Sequence, residues 1–112
     1  MPVDQAQHLA QRAAEKNEAA TAIKAVLAKV GDNPDGWQRL HLAQAIGWLW
    51  RGAYQLAKVN AALALTPANE HVPVTDQATD SYTPEALRQA LAAVEAEPVR
   101  SFVAFGEIKY TG

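Results

Sequence analysis

The residues that could carry chemistry in this chain are few, and none stands at a spacing that a reaction needs. His8, His41 and His71 are far apart and share no metal-ligand spacing. Glu70, His71, Asp76 and Asp80 form a loose polar cluster that reads as solvated loop charge. Glu15 with Glu18, and Glu95 with Glu97, read as solvated helix faces rather than an acid–base pair. Serine occurs only at Ser81 and Ser101, neither in a nucleophile setting. HExxH, GxSxG and glycine-rich phosphate loops are absent from the sequence. The chain has no cysteine, which excludes thiol catalysis, disulfides and cysteine-held metals. The expectation is therefore a non-enzymatic protein with no catalytic residue, no metal and no cofactor.

What remains to do work is a set of large side chains: Trp37, His41, Trp48, Trp50, Arg51 and Tyr54. These six are the expected partner- or ligand-binding residues. Tryptophan, tyrosine and arginine are enriched at the centres of interfaces because they bury much area and keep a polar handle.

The elements that position them follow from composition. The chain has 112 residues, enough for a single domain. Hydrophobic residues make up 49% and charged residues 20%, as in globular chains rather than disordered ones. Net charge is −2, so no overall field favours nucleic acid or anionic lipid. Residues 1–30 show no signal-peptide pattern, and a cytoplasmic location is expected. Alanine, the best helix former, is concentrated in three blocks.

The first block, about 4–30, places Ala6, Leu9, Ala13, Ala20, Ile23, Leu27 and Val30 on one helical face, interrupted by Lys16. Gly31 is its natural terminator. The second block, 34–65, opens with Asn33 as the expected N-cap and Pro34 in the first helical position. Thr66-Pro67 closes it. Gly47 and Gly52 in its middle each weaken a helix by about 1 kcal/mol, so a kink or break is expected there. Residues 66–83 read as a long loop, with a short extended piece at 71–75. The third block, 84–96, has Thr83 as cap, Pro84 at the first position and an apolar face of Leu87, Ala90, Leu91 and Val94. The tail, 98–112, contains the strand formers Phe102, Phe105, Ile108 and Tyr110, which would need a partner edge.

The expected fold is thus mostly α. An antiparallel hairpin of two long helices carries a third short helix, and the tail is extended or a single strand. Leu42, Leu49, Leu56 and Leu63 recur every seven residues and form the expected packing seam. A second apolar stripe runs beside it through Ala43, Gly47, Trp50, Tyr54, Ala57 and Ala61. Trp37, His41 and Trp48 fall on or beside the polar sector. Arg51 and Lys58 argue against a membrane span of this block, and the scattered basic residues argue against nucleic acid.

Asn33-Pro34-Asp35-Gly36-Trp37 followed by Leu40, and then Ala61 through Asn69 (AALALTPAN), resembles the opening and closing of a tetratricopeptide repeat. That family builds helical-hairpin scaffolds that bind peptides or partner proteins. The span from Trp37 to Pro67 is longer than in the family, and Gly47 and Gly52 fall away from its turn. The resemblance covers about a third of the chain and reads as helical-hairpin punctuation, not membership. The expected function is an adaptor or assembly protein that binds another protein or itself as a homo-oligomer. The alternatives are a small-ligand sensor or carrier with an aromatic-lined pocket between helices, and an accessory subunit of a larger enzyme.

Overall fold

The alanine-rich first block forms one helix, α1 (Val3–Val30), in a computed structural model that describes residues 3–67 and 80–99. Three further helices follow: α2 (Gly36–Arg51), α3 (Tyr54–Leu63) and α4 (Pro84–Glu95). The described residues are mostly helical and contain no strand. The expected extended piece at 71–75 and the tail residues Phe102, Phe105, Ile108 and Tyr110 lie outside them.

Punctuation sets the boundaries. Gly31, at φ +67°, follows the last residue of α1. The start of α2 differs from expectation. Asp35, not Asn33, is the N-cap, and Pro34 lies outside the helix. The Asp35 carboxylate accepts the Gln38 N–H at 2.8 Å, and the Gln38 side-chain oxygen accepts the Asp35 N–H at 2.9 Å. This reciprocal box needs a long polar side chain three residues after the cap. Asp35 has Gln38 there, whereas Asn33 would have Gly36. At α4 the expected cap holds: the Thr83 hydroxyl accepts the Ala86 N–H at 3.1 Å, with Pro84 in the first position.

The second block is not one long helix. Gly52, at φ +81°, turns the chain after Arg51. The Ala53 N–H donates to the Trp48 carbonyl at 2.9 Å and the Gly52 N–H to the Leu49 carbonyl at 3.1 Å. Those two bonds are the paired closure of a glycine-terminated helix. From there α3 folds back along α2. Trp37 is tied to Leu63, and His41 and Gln44 to Asn60, so later residues of α3 meet earlier residues of α2. The two helices are antiparallel. Arg12 with Gly52, and Glu18 with Lys58, place α3 parallel to α1. Lys24 with Glu95, and Lys16 with Glu97, run α4 antiparallel to α1.

This break corrects the leucine seam. Leu42 (0% exposed) and Leu49 (2%) sit in the core, but Leu56 is 46% exposed and Leu63 only half-buried. A seven-residue repeat keeps its phase only along one continuous axis. Past Gly52 the buried positions up to the end of α3 are Ala53, Tyr54, Ala57, Ala61 and Ala64 instead. With Ala19, Ala20, Ile23, Val26 and Leu27 of α1, and Leu87, Leu91 and Val94 of α4, the last four of these complete one core. The first half of the expected α1 face contributes little, since Ala6 and Leu9 are exposed.

Lys16, the interruption in the α1 stripe, is only 6% exposed. Its ammonium donates to the Glu97 carbonyl just past the end of α4. One turn earlier Arg12 donates to the Gly52 carbonyl at the end of α2 and lies 4.3 Å from the Tyr54 ring centroid. Both cations meet the negative ends of helices, where orphan carbonyls need donors.

Candidate functional site: a groove on the second helix

The fold-back of α3 covers the sector of α2 that carries Trp37 and His41. The Trp37 indole N–H donates to the Leu63 carbonyl at 2.9 Å, capping the end of α3. The same carbonyl accepts the Thr66 hydroxyl at 2.7 Å. The His41 ring meets the Trp37 ring edge-on, with centroids 4.2 Å apart. The Asn60 amide spans His41 Nδ1 at 3.2 Å and donates to Gln44 Oε1 at 2.9 Å. These four side chains form a polar seam between α2 and α3. A helical wheel drawn through residues 34–65 places Trp37, His41 and Gln44 on or beside the polar sector and Asn60 away from them, because it assumes a single axis.

His41 is buried, and its Nε2 has no hydrogen-bond partner among the described residues. Burial pushes its pKa below the ordinary histidine value, and a smaller contribution from Gln44 acts the other way. The folded protein therefore holds a proton on His41 less readily than the unfolded chain does. Above the ordinary value near 6.5 both states are neutral and this stability is fully present. As pH falls through the unfolded value toward the folded one, the unfolded chain takes up the proton first and stability declines. The melting temperature is expected to drop between pH 7.5 and pH 5, and His41→Gln should remove that part of the drop. An unchanged pH dependence in the variant would assign it elsewhere.

The other expected site residues separate into different environments. Tyr54 is buried beneath Arg12 of α1. Trp50 is half-buried against the core. Trp48 is likewise half-buried against the core, and the exposed Arg51 guanidinium lies 5.2 Å from its ring centroid. Among the described residues no carboxylate pairs with Arg51. The structure does not gather His41, Trp50 and Tyr54 around one pocket: His41 faces α3 and Tyr54 faces α1.

Trp48 and Arg51 instead line an open groove of about 460 Å³. Leu40, Ala43, Gln44 and Gly47 continue it along α2, and Tyr82 ahead of α4 forms the opposite wall. Gly47 is the gap in this lining: a Cβ placed there meets nothing within 4 Å. Tyr82 packs partly against the core, so this wall is held in place. The sequence reading missed Leu40, Ala43, Gln44, Gly47 and Tyr82 as lining residues. Their signal was legible in residues 36–51 taken alone, where 40, 43, 44, 47, 48 and 51 fall on one helical stripe.

Chemically, the groove can receive an apolar group between two aromatic side chains and an anion at Arg51. It offers no nucleophile beside a base. Among the described residues no group of three or more potential metal ligands comes together, and no helix is long and apolar enough to cross a membrane. Compared with protein-family models, curated proteins and solved structures, the chain matches none.

Proposed function

We propose that this protein is a non-enzymatic helical adaptor or assembly protein, acting by contact with another protein or with a second copy of itself through the α2 groove. The observation that supports this reading is the groove itself, with Trp48 and Tyr82 as aromatic walls and, at its end, a guanidinium that pairs with no carboxylate among the described residues. Burying one such aromatic side chain contributes roughly 1.5–3 kcal/mol, enough for Trp48 to anchor an interface. Residues 99–110, nearly all outside the described residues, supply a second contact in this proposal, by strand pairing with a partner.

Light scattering across a range of protein concentrations tests the self-association form. In that form the mass rises with concentration. Trp48→Ala should weaken that association by about tenfold or more, equivalent to roughly 1.4 kcal/mol, while the melting temperature falls by only a few degrees. Trp50→Ala, at a side chain that packs against the core but does not line the groove, should leave that association unchanged. A chain that stays monomeric throughout overturns self-association and leaves a foreign partner as the form of the proposal. If Trp48→Ala unfolds the protein, Trp48 is core and the groove is not the contact surface.

A further inference from the structure

We propose that the occupant of the α2 groove is an acidic peptide segment of a partner protein, with an aromatic or aliphatic side chain beside a carboxylate. This rests on the reading that the groove is the contact surface, and it names what the groove selects.

Three features of the lining carry it. The first is shape. Leu40, Ala43, Gly47 and Arg51 form a straight stripe along twelve residues of α2, whose eleven rises span about 16 Å. That length matches about five residues of extended chain. Among the described residues no element closes over the trough, so their side chains alone do not wrap a small molecule on most sides, as small-ligand sites do. A segment of a larger partner brings its own cover.

The second is the missing side chain at Gly47. It leaves open space between neighbouring lining residues, with Trp48 next along α2 and Tyr82 opposite. An incoming apolar side chain can settle there against aromatic surface.

The third is charge. Among the described residues seven line the groove, and Arg51 is the only charged one of these. The guanidinium is exposed and lies over the Trp48 ring, without an ion-pair partner among the described residues. Stacking leaves the N–H edge of a guanidinium available for a carboxylate, which it can hold with two parallel hydrogen bonds. A cationic segment would be repelled by Arg51, whose own guanidinium already occupies the Trp48 face. A neutral one would gain the apolar contact and forgo the ion pair.

The test uses the full chain and two synthetic peptides, acetyl-Glu-Phe-Glu-Leu-Glu-Phe-amide and its counterpart with glutamine at each glutamate. Binding is read by NMR from the Gly47 amide and Trp48 indole N–H signals. The acidic peptide is expected to shift both saturably. The glutamine peptide should bind about threefold to fivefold more weakly, the range of an exposed ion pair. Raising the salt to 0.5 M should shrink that difference, and Arg51→Gln should erase it. Gly47→Met, which fills open space rather than the core, should abolish binding of both peptides with the circular dichroism unchanged. Equal affinity of the two peptides in wild type, or a difference that survives Arg51→Gln, overturns the selection for acidic segments. Absence of binding by both peptides, in a protein that self-associates and loses self-association on Gly47→Met, also overturns it and assigns the groove to a second copy. Peptide binding that shifts other signals and ignores Gly47→Met overturns both this inference and the groove as the contact surface.

Discussion

Leu42→Ala and Leu49→Ala are each expected to lower the unfolding free energy by about 2–5 kcal/mol, while Leu56→Ala changes it by no more than about 0.5 kcal/mol. All three leucines occupy the same position of a seven-residue repeat. Their environments differ entirely. Leu42 and Leu49 are fully enclosed between helices, and truncation there leaves a cavity that close-packed neighbours cannot fill. Leu56 lies on the outer face of α3 and is nearly half exposed, so its loss removes little buried surface. A domain of this size is stable by about 5–15 kcal/mol, so either core variant removes a large fraction of the total. Urea unfolding followed by circular dichroism measures the three differences. Similar losses for all three would mean that the repeat packs as one seam and that α3 does not fold back.

The two central glycines of the second block are expected to respond with opposite signs. Gly52→Ala should cost about 1–2 kcal/mol, because an L-residue with φ near +81° brings its Cβ against the following carbonyl. The cost falls at the turn that sends α3 back along α2. Gly47→Ala should instead stabilise by up to about 1 kcal/mol. Gly47 sits within α2, where alanine is the better helix former, and a Cβ there meets nothing within 4 Å. Thermal unfolding of the two single variants reads both effects, and two losses of equal size would mean that Gly47 is under the same constraint as Gly52. Gly47→Ala also places a methyl group in the groove, so its effect on partner binding separates fold stability from groove occupancy within one variant.

Arg12 and Lys16 show how polar residues on an apolar face can be structural. Each interrupts what would be a hydrophobic stripe on α1. Each then satisfies a carbonyl at the end of another helix, Gly52 after α2 and Glu97 after α4. The carbonyls at a helix end have no partner within their own helix, and a cation there also meets the negative end of the helix dipole. These donors lie far from their acceptors in sequence, so no local pattern announces them.

By itself the sequence determined the helical character of the chain and most of the helix ends. Alanine density set the helices. Gly31, Thr83 with Pro84, and Thr66-Pro67 acted through backbone preferences that are local and therefore readable. Even the start of α2 was available locally, in the pairing of Asp35 with Gln38 rather than in Asn33. The core face of α4 was equally readable, since Leu87, Leu91 and Val94 lie on one short, continuous helix. Only the tertiary structure decided which way the second block runs after Gly52, and everything about the candidate site followed from that. A glycine can continue a helix with a small penalty or end it in the left-handed region, and the choice depends on what the following segment can bury. Here Tyr54, Ala57, Ala61 and Ala64 reach the core only if the chain turns back. That turn takes Trp37 and His41 out of solvent and puts them against Asn60 and Leu63. It also takes Leu56 out of the leucine seam. Trp48 and Arg51 stay on the open side of α2, where Tyr82, more than thirty positions away in sequence, supplies the facing wall of the groove.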